Sequence, residues 1–260
     1  MNRLLTGNLI RLRKNIIFWL SLVCAMVGPL YTVLNNWYYK NLWDMSMGAD
    51  TAFLLIGQDY FFIVALAVVI SLFVGTEFSD NTIRNKLIAG HSRVSVFFSN
   101  LTTSIVVAVA MYLASTAVSC IGIPLLDAFE LPIDKLVMQM ACAVVSILVI
   151  AVFICTVTMA IGNRVVSIIV SMLSVIGLQL IPSLLWSNIY FYTENRSLDT
   201  FRAKVDVLLY DIIPTCQMHQ LKSDINEIPK NLELFPVYSA LLILVIGTIG
   251  IIIFRKKNLK

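Results

Sequence analysis

Side chains that commonly do chemistry are sparse in this sequence, and their spacing excludes the commonest reactions. The two histidines are His91, followed by Ser92, and His219, followed by Gln220. Neither opens the His-Glu-x-x-His pattern that sets two imidazoles on one helix face around zinc. Gly90-His91-Ser92-Arg93-Val94 begins like the strained turn of a serine hydrolase, but Val94 stands where a second glycine is required. No lysine follows a glycine anywhere, so the loop that cradles nucleotide phosphates is missing and the chain is not expected to hydrolyse ATP itself. The five cysteines, at 24, 120, 142, 155 and 216, form no Cys-x-x-Cys pair and no metal-ligand spacing.

What remains is an ionic stretch at 77–93, containing Glu77, Phe78, Thr82, Ile83, Arg84, Asn85, Lys86, Leu87 and Arg93. Asp80 or Asn81 can cap a short helix there, Ile83 and Leu87 form an i, i+4 apolar pair, and Gly90 supplies a stop. The spacing predicts a helix of two to three turns presenting Arg84, Asn85 and Lys86. By charge alone the same stretch also fits an ordinary cationic loop. Asp59 and Gln179 lie in apolar surroundings, where a polar group is costly unless it faces a cavity or a partner, and both are candidates for a substrate pathway. A headgroup-level carboxylate and ordinary helix packing are the simpler readings of the two.

The elements that must position these residues are apolar. Of 260 residues, 59% are hydrophobic and 13% charged, and the mean hydropathy is +0.87, which excludes a soluble, disordered or disulfide-stapled domain. A helix crossing the hydrocarbon layer needs about 20 apolar residues with every backbone group paired internally. Six runs qualify, at about 15–34, 54–75, 97–121, 136–161, 165–186 and 234–254. Twelve of the nineteen Lys and Arg fall at the N-terminus, the 77–93 stretch, Arg164 and the C-terminus, opposed there only by Glu77 and Asp80. Positive loops stay on the cytoplasmic side, so both termini are expected inside. Trp37, Trp43, Trp186 and Tyr190 mark the outer interface, where amphipathic rings prefer the headgroup layer. The first run is too long for the core of a cleaved signal and no small-residue cleavage site follows it.

Two further segments complete an all-α expectation of one transmembrane domain over 1–260. In 1–14, Leu5, Leu9, Leu12 and Ile16 share one face, with Arg3, Arg11 and Lys14 roughly opposite. This predicts a helix lying in the membrane surface, its cations toward anionic headgroups. In the outer segment 187–233, Phe201, Val205, Leu208, Leu209 and Ile212 predict an amphipathic helix ended by Pro214, capping the bundle or dipping into the outer leaflet.

An interfacial helix, six spans, a cytoplasmic helix after the second span and a long outer segment before the sixth resemble one known architecture. It is that of the permease subunits of bacterial ATP-binding-cassette exporters of the type V fold, of the peptide, bacteriocin-immunity and multidrug export kind. The run Glu77, Thr82, Leu87 and Ser92-Arg93 is similar to that family's Glu-x-x-x-Gly-Thr-x-x-x-Leu signature followed by Ser/Thr-Arg. Asn81 stands where Gly is usual, and Gly90 where Pro often stands.

The resemblance implies that 77–93 is a coupling helix seated in a separate ATPase subunit, which binds the ATP and Mg; this chain carries no cofactor or metal. Ile83 and Leu87 would be knob or anchor, Arg84 and Lys86 would meet acidic groups on the ATPase, and Glu77 would brace the helix through Arg84 or Arg93. It implies a dimer with a second copy or a sister permease in the bacterial plasma membrane, and no nucleic acid. The expected action is outward movement of an amphipathic peptide, drug or lipid-like cargo, with a role in antimicrobial resistance. The alternative is a membrane scaffold or sensor that recruits a cytoplasmic partner through 77–93 without transport.

Overall fold

The computed structural model describes residues 2–43, 60–126, 133–194, 199–222 and 231–258. Among these residues every regular element is helical: α1 (Asn2–Lys14), α2 (Ile16–Trp43), α3 (Tyr60–Ser79), α4 (Thr82–Ile88), α5 (Arg93–Leu125), α6 (Ile133–Ile161), α7 (Arg164–Glu194), α8 (Phe201–Ile212), α9 (Pro214–Lys222) and α10 (Phe235–Lys256), which a short 3-10 turn at Leu232–Leu234 precedes. Six helices are long and apolar enough to cross a membrane: α2, α3, α5, α6, α7 and α10. They fall on the six runs read from hydropathy; the start of the second run, 54–59, lies outside the described residues. At 1.5 Å per residue the 33 residues of α5 reach about 50 Å, so its ends project beyond a hydrocarbon layer of about 30 Å.

Burial ranks the spans. In α3 and α6, 61% of the most apolar window is buried, against 22% in α2 and in α10, so α3 and α6 form the centre of the bundle. Around them α2 packs on α5, α7 on α3 and α10 on α6. The centre is apolar, with Leu66, Ile70, Phe97, Met111, Ala151 and Cys155 buried side by side. Several hydroxyls that enter it return their hydrogen to the preceding turn, as Thr103 does to Ser99 O and Thr158 to Ile154 O, both at 2.8 Å. That lets small polar residues sit in a span without an unpaired donor.

Close approach of the helices depends on missing side chains, at Gly250 among others. A Cβ on Gly250 of α10 would lie 2.7 Å from Phe97 Cζ and 2.8 Å from Thr156 Cγ2, so α10 seats on α5 and α6 only because that carbon is missing. Gly162, at φ +71, turns the chain from α6 into α7, where the side chain of Asn163 accepts from the amides of Val165 and Val166 at 3.0 and 3.2 Å.

The segment before the last span is a pair of helices. α8 follows the predicted amphipathic stretch, capped by Thr200, whose hydroxyl accepts from the Ala203 amide. α9, which hydrophobic periodicity did not predict, packs into the bundle against α6 and α7. Its buried residues include Gln217 and Gln220, an unusual choice in which the Gln217 amide is bonded at both its nitrogen and its oxygen. Gln217 Nε2 donates to Asp211 O at 2.8 Å, and its Oε1 accepts from Ser146 at 2.7 Å and Ser239 at 3.0 Å. Gln220 Nε2 donates to Tyr210 O at 2.8 Å. Beside them the Tyr210 hydroxyl and His219 Nδ1 are 2.7 Å apart under the Trp186 ring.

Overpacking a tight helix crossing costs about 1–3 kcal/mol. Gly250→Val is therefore expected to lower the thermal midpoint of the purified protein, whereas Gly247→Val, with nothing within 4 Å of the added carbon, leaves it near wild type. Equal midpoints for the two variants would show that α10 does not seat on Gly250.

Candidate functional site

The stretch 77–93 bridges the end of α3 and the start of α5. α3 ends in a tight reversal in which the amides of Asp80 and Asn81 donate to Thr76 O and Phe78 O. Asn81 takes a left-handed backbone, φ 53, a region that costs an ordinary L-residue about 1–2 kcal/mol and that Asn and Gly tolerate. A glycine-like requirement at this position thus has a backbone cause. Neither Asp80 nor Asn81 caps α4 with its side chain, contrary to the sequence expectation. Asn81 instead offers its carbonyl, which accepts from the Asn85 amide at 3.0 Å. Gly90, at φ +88, stops α4 as expected, and Ser92 caps α5 by accepting from the Ser95 amide.

Glu77, in the last turn of α3, is fully buried and is the centre of the site. Its Oε1 accepts from Lys86 Nζ of α4 at 2.6 Å and from Arg11 Nη1 of α1 at 2.9 Å, and its Oε2 accepts from Asn100 Nδ2 of α5 at 2.8 Å. Lys86 Nζ also donates to Asn8 Oδ1 at 2.9 Å, and Asn8 Nδ2 donates to Asn100 Oδ1 at 2.9 Å and to Ser99 at 3.0 Å. Glu77, Lys86, Asn8 and Asn100 form a closed ring, with one member from each of four helices. Every oxygen in it accepts and every amide nitrogen donates, the condition under which a buried polar network stabilises a fold. Burial pulls the Lys86 ammonium below the usual lysine range, and the neighbouring Glu77 carboxylate opposes that pull.

The ring corrects several roles assigned from sequence. Glu77 braces α4 through Lys86, not through Arg84 or Arg93. Lys86, expected to face a partner, is instead committed to the ring with its side chain 14% exposed. Of the two roles expected for Ile83 and Leu87, knob or anchor, they take that of anchor: Ile83 is 2% exposed and Leu87 is half-buried against the core, so both hold α4 to the bundle. The presented face is Arg84, Asn85 and Ile88, at i, i+1 and i+4, with Ile88 75% exposed. Thr82, the first residue of α4, is half-buried.

Arg93 does a different job. Its Nη1 donates to the carbonyls of Phe254, Arg255 and Lys257, at 3.3, 2.9 and 2.5 Å, closing the C-terminal end of α10. Lys257 in turn donates to Met159 O and Ala160 O at the end of α6, at 3.0 and 2.9 Å, with its ammonium 4.5 Å from the centre of the Phe78 ring. Burial pushes this lysine down to about 8, a cost that the two carbonyls of a helix C-terminus offset.

α1 packs on α5 through Leu4, Asn8 and Leu12, one step around the helix from the predicted row. Ile16 is exposed, and Arg11 turns inward: besides Glu77 it donates to Phe73 O at 3.0 Å and lies 4.2 Å above the Phe73 ring. Lys14 remains exposed, while the side chain of Arg3 lies outside the described set. Asp59 also lies outside the described residues. Gln179 is 8% exposed on the inner face of α7 and is not brought near the Glu77 ring. Asn8, Asn100 and Ile88 were not singled out from sequence. The available signals were an Asn within the Leu4–Leu12 row, an Asn in the second turn of an apolar span, and an isoleucine just before the stop of a charged helix.

The family model of the ABC-2 family transporter protein matches residues 4–178, more than half of the chain, covering α1 to the middle of α7 and with them the whole ring. No curated protein matches the chain.

Removing the carboxylate from a buried ion pair leaves uncompensated charge and costs about 3–5 kcal/mol. Glu77→Gln, which strands Lys86 beside Arg11, is expected to lower the melting temperature well below that of Lys86→Met, in which Arg11 and Asn100 still pair with Glu77. A Glu77→Gln protein melting with wild type would show that the ring does not hold α4 in place.

Proposed function

The chain belongs to the ABC-2 family of transporter proteins, and from that membership we propose that it is the permease subunit of an ATP-driven exporter in a bacterial plasma membrane, worked by a separate ATPase subunit. Members of the family are the membrane components of transporters, not the ATPases. In the proposed arrangement both termini and α4 face the cytoplasm, the ATP and Mg are bound by the partner, and a second copy or a sister permease completes the pathway. The cargo is an amphipathic peptide, drug or lipid-like molecule, in keeping with spans whose interiors carry no charged residue, as at 97–121, 136–161 and 165–186.

The observation that carries this reading is the division of α4 into a fixed face and an offered face. Ile83, Leu87 and Lys86 pin the helix to α3 and α5, whereas Arg84, Asn85 and Ile88 project away from the bundle. A helix so short has too little cooperativity to stay folded alone and gains its rigidity from that mounting. A partner that grips the offered face therefore pushes on α3 through Glu77, on α1 through Asn8 and on α5 through Ser92. Ile88 supplies an apolar contact and Arg84 a charge-assisted one, suited to a groove with acidic groups.

Co-expression with the cognate ATPase tests the reading. Arg84→Glu combined with Ile88→Asp is expected to abolish co-purification of the ATPase and cargo export while leaving the melting temperature of the permease unchanged. An ATPase that stays bound and coupled to this double variant would remove α4 as its seat.

A further inference from the structure

On the opposite side of the bundle from α4, two cavities share one face of α10. The first, of about 310 Å³, is bordered by Asp211, Asn231, Tyr238 and Lys204. The second, of about 280 Å³, is bounded by the turn between α8 and α9 and by Phe153, Leu178, Leu242 and Ile246. Tyr238, Leu242 and Ile246 stand at i, i+4 and i+8, so they run as one row down α10 over about 12 Å. The α8–α9 connection crosses between the cavities, with Asp211 on one and Ile212, Ile213 and Pro214 on the other. Phe153, Leu178 and Ile246 lie near the middle of α6, α7 and α10, so the second cavity is at the depth of the hydrocarbon layer, and Tyr238, one turn into α10, is at headgroup depth.

The polar cavity has a sign. Asp211 is 4% exposed, and among the described residues no cation pairs with it; its oxygens receive amide hydrogens from Gln220 and Asn231, both at 3.3 Å. Burial pushes its carboxyl above the usual range, against the pull of those two donors. Lys204 stands at the rim, 65% exposed and only loosely held by Asp199 at 3.6 Å. An ammonium group entering the cavity would add a charged donor to the two amides on Asp211, and an anion bound to that group would meet Lys204. The apolar cavity has the opposite character: a peptide backbone placed there would leave its amides unpaired, whereas an alkyl chain has nothing to pair.

We propose that the two cavities together hold one phospholipid with a primary-ammonium headgroup, its ammonium on Asp211, its phosphate toward Lys204, and one acyl chain running along the Tyr238–Leu242–Ile246 row into the apolar cavity. The lipid belongs to the leaflet away from α4, which is the outer one in the orientation proposed above; the binding itself does not depend on ATPase coupling or export. A primary ammonium offers three N–H donors and a quaternary one none, so Asp211 selects by hydrogen bonding while the Tyr238 ring accepts either cation.

The test is native mass spectrometry of the delipidated full-length protein with phosphatidylethanolamine, its mono-, di- and trimethylated forms and phosphatidylglycerol, all with identical chains. Wild type is expected to retain phosphatidylethanolamine about tenfold better than the trimethylated form, as fits one or two charge-assisted hydrogen bonds, with stepwise loss on methylation. Asp211→Asn should flatten that series, and Ile246→Trp, which fills the apolar cavity, should reduce retention of every lipid. Equal retention across the methylation series in wild type would overturn the proposal whatever the variants do, as would a preference for the primary ammonium that survives Asp211→Asn.

Discussion

A buried carboxylate sits at the most cationic end of this molecule, and the arrangement of that end follows from it. Glu77 has no access to solvent, so its charge must be met inside the protein, and three donors from three other helices meet it. An apolar residue in its place would pack as well but would select no orientation among α1, α4 and α5. The carboxylate does select one, because only one placement brings Arg11, Lys86 and Asn100 within hydrogen-bonding distance together. Asn8 then closes the circuit by taking the second hydrogen bond of Lys86 and passing one on to Asn100.

At the other end of the bundle, specificity comes from neutral amides. Gln217 joins α6, α8 and α10 through Ser146, the Asp211 carbonyl and Ser239, and Thr215 bonds to the Leu178 carbonyl of α7 at 2.8 Å. A chain embedded in lipid gains little by sequestering apolar surface from hydrocarbon, so such bonds and close packing carry more of the burden of fixing helix positions than in a water-soluble bundle. Ionic pairing organises one end and side-chain amides the other, and the spans approach closely at small residues such as Gly250 and Gly75, whose added Cβ would lie 3.1 Å from the backbone of Arg164.

The six spans were legible because continuous apolarity over about 20 residues has few other meanings. The limits of α4 were legible from Gly90 and from the Ile83–Leu87 pair. The face that α4 offers was not, since Lys86 and Arg84 look alike in sequence and only Glu77, Asn8 and Asn100 distinguish them in space. The row on α1 was misplaced by one step because hydrophobic periodicity favours Leu5 and Leu9, whereas the helix buries Asn8 for a hydrogen bond that no local pattern announces. α9 escaped notice for the same reason: its inward residues include two glutamines, and Gln217 finds partners at 146 and 239, distant in the chain. Periodicity registers what the core repels from water; it is blind to polar groups whose partners come from elsewhere.

The clasp of Arg93 on the carbonyls of α10 has a mechanical consequence. α10 is one unbroken helix of 22 residues, about 33 Å, gripped at its last turn by the residue that opens α5 and hydrogen-bonded in its second turn to α9 through Ser239 and Gln217. Described as machinery, it is a pushrod: a displacement of the α4–α5 corner arrives at the far side of the molecule without having to pass through the packed centre, where α3 and α6 leave little room for anything to give.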